Sequence, residues 1–257
     1  MSRFGNLEFD DPSRQNAGHG ESRRLKDDAF YLEEAAKAFK QGRFEPALRN
    51  FAKAIEFNPR HSAPWAGQVR MLLELGEAKE AKIWADKALK LFPTDPELLA
   101  AKGVALARMG DQNGALAFSD ASMAASGETP YLWLARGDVF LARKEKRADY
   151  CFERALALSP GDWVIRWLAS RIHSAHQQFA KALRYAQESL ALTATEAAVW
   201  LQAGQCQLAL GLIDASERSF QQAQELDPQC AAAARELQKL NHVGPLARLI
   251  SRFRGKF

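Results

Sequence analysis

The sequence predicts an all-α fold, an α-solenoid built from about six helix-turn-helix repeats. The first observation is helical spacing: Ala47, Phe51 and Ala54 are four and three residues apart, which places them on one face of a helix. The second is a regular interval between positions that end helices, at spacings of 34, 34, 33, 34 and 34 residues: Pro59, Pro93, Gly127, Pro160, Ala194 and Pro228. Units repeating at this interval stack in a row, each touching only its neighbours.

These residues resemble the tetratricopeptide repeat family over about residues 28–241. In the first repeat the resemblance rests on Tyr31, Ala35, Ala38, Gly42, Phe44, Ala47, Phe51, Ala54 and Pro59. It implies helical hairpins stacked into a right-handed superhelix, with the first helix of each hairpin on a concave groove. It also implies a protein that binds peptides or proteins and does no chemistry.

We predict six repeats followed by a capping helix. Their bounds are 28–61, 62–95, 96–129, 130–162, 163–196 and 197–230, with the cap at 231–242. In the first repeat Gly42 ends one helix, and Pro46 lies in the first turn of the next, where a missing N–H costs little. In the second repeat Ser62 is the expected N-cap and Gly76 the turn.

The later repeats depart from the pattern in specific places. In the third, Ser119 and Ser122 stand at positions that are usually apolar, so we expect its second helix to open most easily. The fourth has a turn at 144–146 that is one residue short and lacks glycine. The fifth has Arg166 at the usual tryptophan position, and the sixth fits well. An alanine-rich segment over 231–240 then favours a helix that covers the last repeat.

The two ends of the chain have a different composition. Residues 1–27 are expected to be disordered, although Phe4, Leu7 and Phe9 could form a short motif that folds on a partner. Residues 243–257 predict a basic amphipathic helix with an apolar stripe formed by Leu246, Leu249, Ile250 and Phe253. The tail residues that we predict to make contacts are Arg248, Leu249, Arg252 and Phe253. The tail either lies on an anionic membrane surface or packs on the last repeat or a partner helix.

Charge and cysteine content narrow the class of protein. The net charge of +4 equals that of the tail cations Arg248, Arg252, Arg254 and Lys256, so the repeats are neutral and do not favour nucleic acid. No apolar run approaches the ~20 residues that span a bilayer. The N-terminus has no apolar secretory core, and the three cysteines lack paired spacing. We therefore expect a cytoplasmic protein with reduced thiols and no cofactor.

The family resemblance also gives candidate groove residues. They are Phe39, Arg70, Leu73, Val104, Arg108, Tyr131, Leu134, Asp138, Trp167, Arg171 and Gln205. This apolar and aromatic lining with three arginines suits a peptide or protein partner with acidic and apolar side chains. Leu32 and Ala36 stand where one subfamily has a lysine and an asparagine that clamp a carboxylate, so a chaperone-tail adaptor is not indicated. Self-association through end repeats stays open.

An enzyme is the competing interpretation. His173 and His176 could share a helix face, but no Cys, Asp or Glu lies one turn further on, so a metal site lacks ligands. The glycines at 110 and 114 are not followed by the Lys-Ser/Thr of a phosphate loop. We therefore predict a non-catalytic scaffold. The alternative is a peripheral membrane-associated assembly factor that uses the basic amphipathic C-terminal tail, and a metal-dependent enzyme is a weaker alternative.

Overall fold

The structure, a computed structural model, describes residues 26–125 and 127–241. These residues form thirteen α-helices and no strand. The helices are α1 Asp28–Lys40, α2 Phe44–Phe57, α3 Ser62–Glu74, α4 Ala78–Leu91, α5 Pro96–Arg108, α6 Gln112–Ala124, α7 Pro130–Ala142, α8 Arg147–Leu158, α9 Trp163–Ala175, α10 Phe179–Leu192, α11 Ala197–Ala209, α12 Ile213–Leu226 and α13 Ala231–Asn241. The predicted all-α helical repeat solenoid is confirmed.

The helices belong to two compact units, divided between Glu128 and Thr129. Unit 1 contains α1 to α6 and unit 2 contains α7 to α13. In each unit consecutive helices pack in pairs, and the second helix of one pair also packs on the first helix of the next. This is the contact pattern of a repeat array, in which each hairpin is buried by its neighbours.

Small residues allow the helices to approach closely. Ala47 and Ala54 on α2 are fully buried, as their spacing predicts. Between α2 and α3 the approach requires glycine, because a Cβ on Gly67 would overlap the ring of Phe51. The Phe51 ring of the first hairpin therefore packs directly against the backbone of Gly67 in the second hairpin.

Short polar side chains begin several helices. Asp27, Asp95 and Thr129 accept hydrogen bonds from backbone N–H groups three residues on, at 2.9, 3.0 and 3.3 Å. Asp27, the last residue of the segment expected to be disordered, is therefore the N-cap of α1. The prediction for Ser62 is wrong by one position: the cap is His61, without a side-chain hydrogen bond, and Ser62 is the first helical residue.

The turn inside each of the six described hairpins contains a residue in the left-handed region. At four turns it is glycine: Gly42, Gly76, Gly110 and Gly211 have φ of 71°, 82°, 90° and 76°. At the other two it is Lys144, with φ of 58°, and Gln177, with φ of 59°. The fourth turn lacks glycine, as its sequence indicates, yet it keeps the backbone conformation that glycine adopts most easily.

The third repeat and the cap also have the composition that the sequence indicates. Helix α6 buries only Ala115, Ser119 and Ser122, and the Ser122 hydroxyl donates to the Ser119 carbonyl at 2.8 Å. Its easier opening stays a prediction. In unit 2, α13 packs on α12, and its Leu240 joins Phe220 in a buried cluster, so α13 covers the last hairpin.

Candidate protein-binding faces

The first helices of the hairpins lie side by side within each unit. In unit 1, α3 contacts α5, and Arg70 of α3 lies over the ring of Phe39 on α1, with 5.8 Å from Cζ to the ring centroid. In unit 2, α9 contacts both α7 and α11. Each unit therefore has one face composed of its first helices. We call these the inner face of unit 1 and the inner face of unit 2.

Two arginines are fixed on the inner face of unit 1. Besides its contact with Phe39, Arg70 has Nη1 at 3.6 Å from Oε2 of Glu97 on α5. Arg108 of α5 donates from Nη1 to the carbonyl of Leu73, in the last turn of α3, at 2.6 Å. Both side chains are only half-buried. Cations held in place by neighbouring helices can accept a carboxylate with little loss of side-chain entropy.

A depression of about 420 Å³ adjoins Arg108. Its lining is Gly76, Glu77, Ala78, Lys79, Glu80, Arg108 and Met109. The Met109 side chain is 44% exposed, and flexible thioethers suit surfaces that adapt to a partner. The depression thus combines the apolar side chains of Ala78 and Met109 with charges of both signs.

The inner face of unit 2 has a different polar contact. Asp138 is 2% exposed, and its Oδ1 lies 2.7 Å from Nε2 of His176, at the end of α9. Arg171 lies over the Trp167 ring, with Cζ 5.5 Å from the centroid. Buried polar groups need such partners because desolvation without a hydrogen bond is costly.

The predicted groove residues divide by exposure. Five are buried in the structure and do not offer a side-chain surface: Leu73, Val104, Leu134, Asp138 and Trp167. Six reach the surface at least in part: Phe39, Arg70, Arg108, Tyr131, Arg171 and Gln205. For those six, partner contact stays a prediction. Sequence reasoning missed Glu97, Met109 and the pairing of His176 with Asp138. Of these, only Glu97 had a signal in the sequence, because an acidic residue in the first turn of a helix is favoured by the helix dipole.

The two histidines considered as metal ligands have separate environments. His173 is fully buried and packs against the rings of Phe152 and Tyr185, at centroid distances of 4.4 and 5.2 Å, whereas His176 bonds Asp138. Within residues 26–125 and 127–241, no three His, Cys, Asp or Glu side chains are grouped as metal ligands would be. In the same residues the cysteines are unpaired, and Cys151 and Cys206 are buried.

Burial holds His173 in its neutral form. Nδ1 donates to Oε1 of Gln178 at 3.0 Å, and Nε2 has no hydrogen-bond partner in the described part of the chain. Desolvation lowers the pKa of His173 from 6.5 to about 4, against the smaller upward effect of the Gln178 bond. A second ring proton would be buried without an acceptor.

We therefore expect unit 2 to lose stability as the pH falls from about 6.5 to about 4. In that window the unfolded chain binds a proton at His173 and the folded chain does not, so acid favours unfolding by up to about 3 kcal/mol. Denaturant unfolding of wild type and His173→Gln across this range measures the difference. Equal pH slopes for the two proteins would contradict the prediction.

The tail residues Arg248, Leu249, Arg252 and Phe253, and nearly all of the N-terminal segment, lie outside the described residues. The membrane interpretation of the tail stays a prediction. Where the structure describes the chain, no helix is both long and apolar enough to cross a bilayer.

Comparisons with known proteins agree with this architecture. Two profiles described as tetratricopeptide repeat match residues 38–105 and 197–230. The BBSome complex member BBS4 of Bos taurus is 29% identical over 146 residues, covering 56% of this chain and 28% of the relative. BBS4 of Xenopus tropicalis is 31% identical over 115 residues, covering 44% and 22%. The chain thus spans less than a third of the length of these relatives.

Among solved structures, a thermophilic tetratricopeptide repeat protein of Thermus thermophilus has a TM-score of 0.50 and 16% identity. The match covers 84% of this chain and all of the other. At this identity the likeness shows the shared fold.

Proposed function

We propose that this chain, which is a tetratricopeptide repeat protein, is a non-catalytic scaffold that binds a peptide or protein on its inner faces. The family assignment rests on the two profile matches and on the solenoid itself. The curated relatives are named as members of a complex, which supports a role in contact with other proteins.

The observation that carries the proposal is the pair of fixed, half-buried arginines on the inner face of unit 1. Arg70 is held by Phe39 and Glu97, and Arg108 is held by the Leu73 carbonyl beside the depression. Such a surface suits an acidic group together with an apolar side chain that fills the depression near Met109. We propose a partner segment with both kinds of side chain, and a cytoplasmic place of action.

Neutralising the inner-face arginines tests the proposal. We expect Arg70→Gln, Arg108→Gln and Arg171→Gln together to weaken capture of native partners by at least about tenfold, because hydrogen bonds to charged groups contribute about 1.5–3 kcal/mol each. The measurement is affinity purification from native lysate with quantitative recovery, alongside helical circular dichroism to verify the fold. Glutamine at position 108 still has an N–H donor, so the Leu73 carbonyl is not deprived of every donor group.

The matched control neutralises three exposed arginines on second helices, Arg49→Gln, Arg184→Gln and Arg218→Gln. It removes the same charge from outside the inner faces and is expected to recover the partners at the wild-type level. Equal recovery by both triple variants would refute binding at the inner faces.

A further inference from the structure

The turn between α7 and α8 concentrates positive charge at the tip of the fourth hairpin. It consists of Arg143, Lys144, Glu145, Lys146 and Arg147, four cations and one acid. We call these five residues the cationic turn. It lies within unit 2 and is separate from the inner-face arginines.

The single acid of the cationic turn holds its two arginines in place. Arg143 donates from Nε to Oε1 of Glu145 at 2.5 Å, and Arg147 donates from Nε to Oε2 at 3.0 Å and also from Nη2. Arg147 further lies over the Phe140 ring, with Cζ 4.5 Å from the centroid. These contacts fix the guanidinium groups before any partner arrives, which lowers the entropic cost of binding.

The two lysines of the cationic turn are exposed, and no acidic side chain among the described residues pairs with either. Lys144 also adopts a φ of 58° at the turn position where four other hairpins have glycine. A lysine there costs backbone energy that glycine would avoid. Uncharged Gln177 has the same conformation in the next hairpin, so hairpin geometry sets this φ, and what distinguishes Lys144 is its exposed charge.

We propose that the cationic turn is a docking surface for a short acidic segment of a partner protein. Arg136 of α7 lies over the same Phe140 ring as Arg147, with Cζ 4.9 Å from the centroid, so the positive charge extends from the turn onto α7. The 57% exposed ring of Tyr150 lies one helical turn beyond Arg147 and offers an apolar contact.

Exposed Glu153 follows on α8, whereas exposed Asp149 pairs with Lys181 of α10, with 2.6 Å between Oδ1 and Nζ. A membrane surface or a long nucleic acid crossing the turn would meet Glu153 as well, whereas a segment of a few residues ends before it.

A fluorescent octaglutamate peptide, titrated by anisotropy against the full chain, provides the test. The variant combines Lys144→Gly, which also relieves the backbone, with Lys146→Gln. We expect a Kd about tenfold weaker, since each exposed ion pair contributes a few-fold in affinity. The matched control combines Gln177→Gly, the other left-handed position that lacks glycine, with Lys53→Gln and Lys90→Gln at exposed lysines of α2 and α4, so it also removes two positive charges. It is expected to bind as wild type does.

A second variant, Lys144→Gln with Lys146→Gln, leaves the turn residue non-glycine and should weaken binding to the same extent. Unchanged binding by both lysine variants, or equal weakening by the control, overturns the proposal. If phosphatidylserine vesicles or single-stranded DNA bind more tightly than octaglutamate and depend on the same two lysines, the occupant of the cationic turn is that ligand and not a protein segment, and the proposal is overturned. The Arg70, Arg108 and Arg171 triple variant should still bind octaglutamate, so failure of the inner faces and failure of the cationic turn are distinguishable.

Discussion

Replacing Ala47 with glutamate is expected to destabilise unit 1 by at least about 3 kcal/mol, because a carboxylate would have to be buried without a partner. Ala47 is fully buried on α2, as is Ala54 on the same helix. The added side chain also exceeds the volume left for a methyl group. Thermal and urea unfolding followed by helical circular dichroism measures the loss.

The control for this variant is Ala36→Glu in the same hairpin, where the alanine of α1 is exposed. It introduces the same charge into water and should change the free energy of unfolding by less than about 0.5 kcal/mol. If Ala47→Glu melts at the wild-type temperature, the helix face containing Ala47 and Ala54 is not the packed one.

The sequence was sufficient for the repeat architecture because its signals are local. Ala47, Phe51 and Ala54 define a helix face by spacing alone, and the regular helix-ending residues define the repeat interval. The missing glycine at 144–146 was visible too. That Lys144 nevertheless adopts the left-handed conformation was not, because a hairpin of fixed geometry imposes it on whichever residue occupies the position.

The inner faces were harder to predict because burial depends on neighbouring helices. Leu134 and Trp167 occupy first-helix positions assigned to the groove, yet each is only 1% exposed. The partner of Arg108 is the main-chain carbonyl of Leu73, which no side-chain pattern identifies. Similarly, His173 and His176 are close in sequence but have different partners, since Phe152 and Tyr185 pack against the first and Asp138 bonds the second.

Truncating Phe152 to alanine is expected to cost unit 2 about 3–5 kcal/mol, the usual range for a buried phenylalanine in a core that cannot collapse. The ring is fully buried on α8, 4.4 Å from the His173 imidazole. Tyr150→Ala on the same helix removes a ring that is 57% exposed and should cost less than about 1 kcal/mol. Urea unfolding of the two variants compares them directly, and similar losses would contradict the assignment of Phe152 to the core.

Gly137 of α7 provides a stricter test of how the Phe152 ring is packed. A Cβ there would lie 2.9 Å from Cε2 of Phe152, so Gly137→Ala should destabilise the wild type by about 1–3 kcal/mol through overpacking. In the Phe152→Ala background the ring is gone, and the same substitution should stabilise α7 by up to about 1 kcal/mol through helix propensity. The sign of the effect therefore reverses between the two backgrounds. If the free-energy losses of the two single variants add in the double variant, residue 137 and the Phe152 ring are not in contact. The glycine at position 137 would then need another explanation.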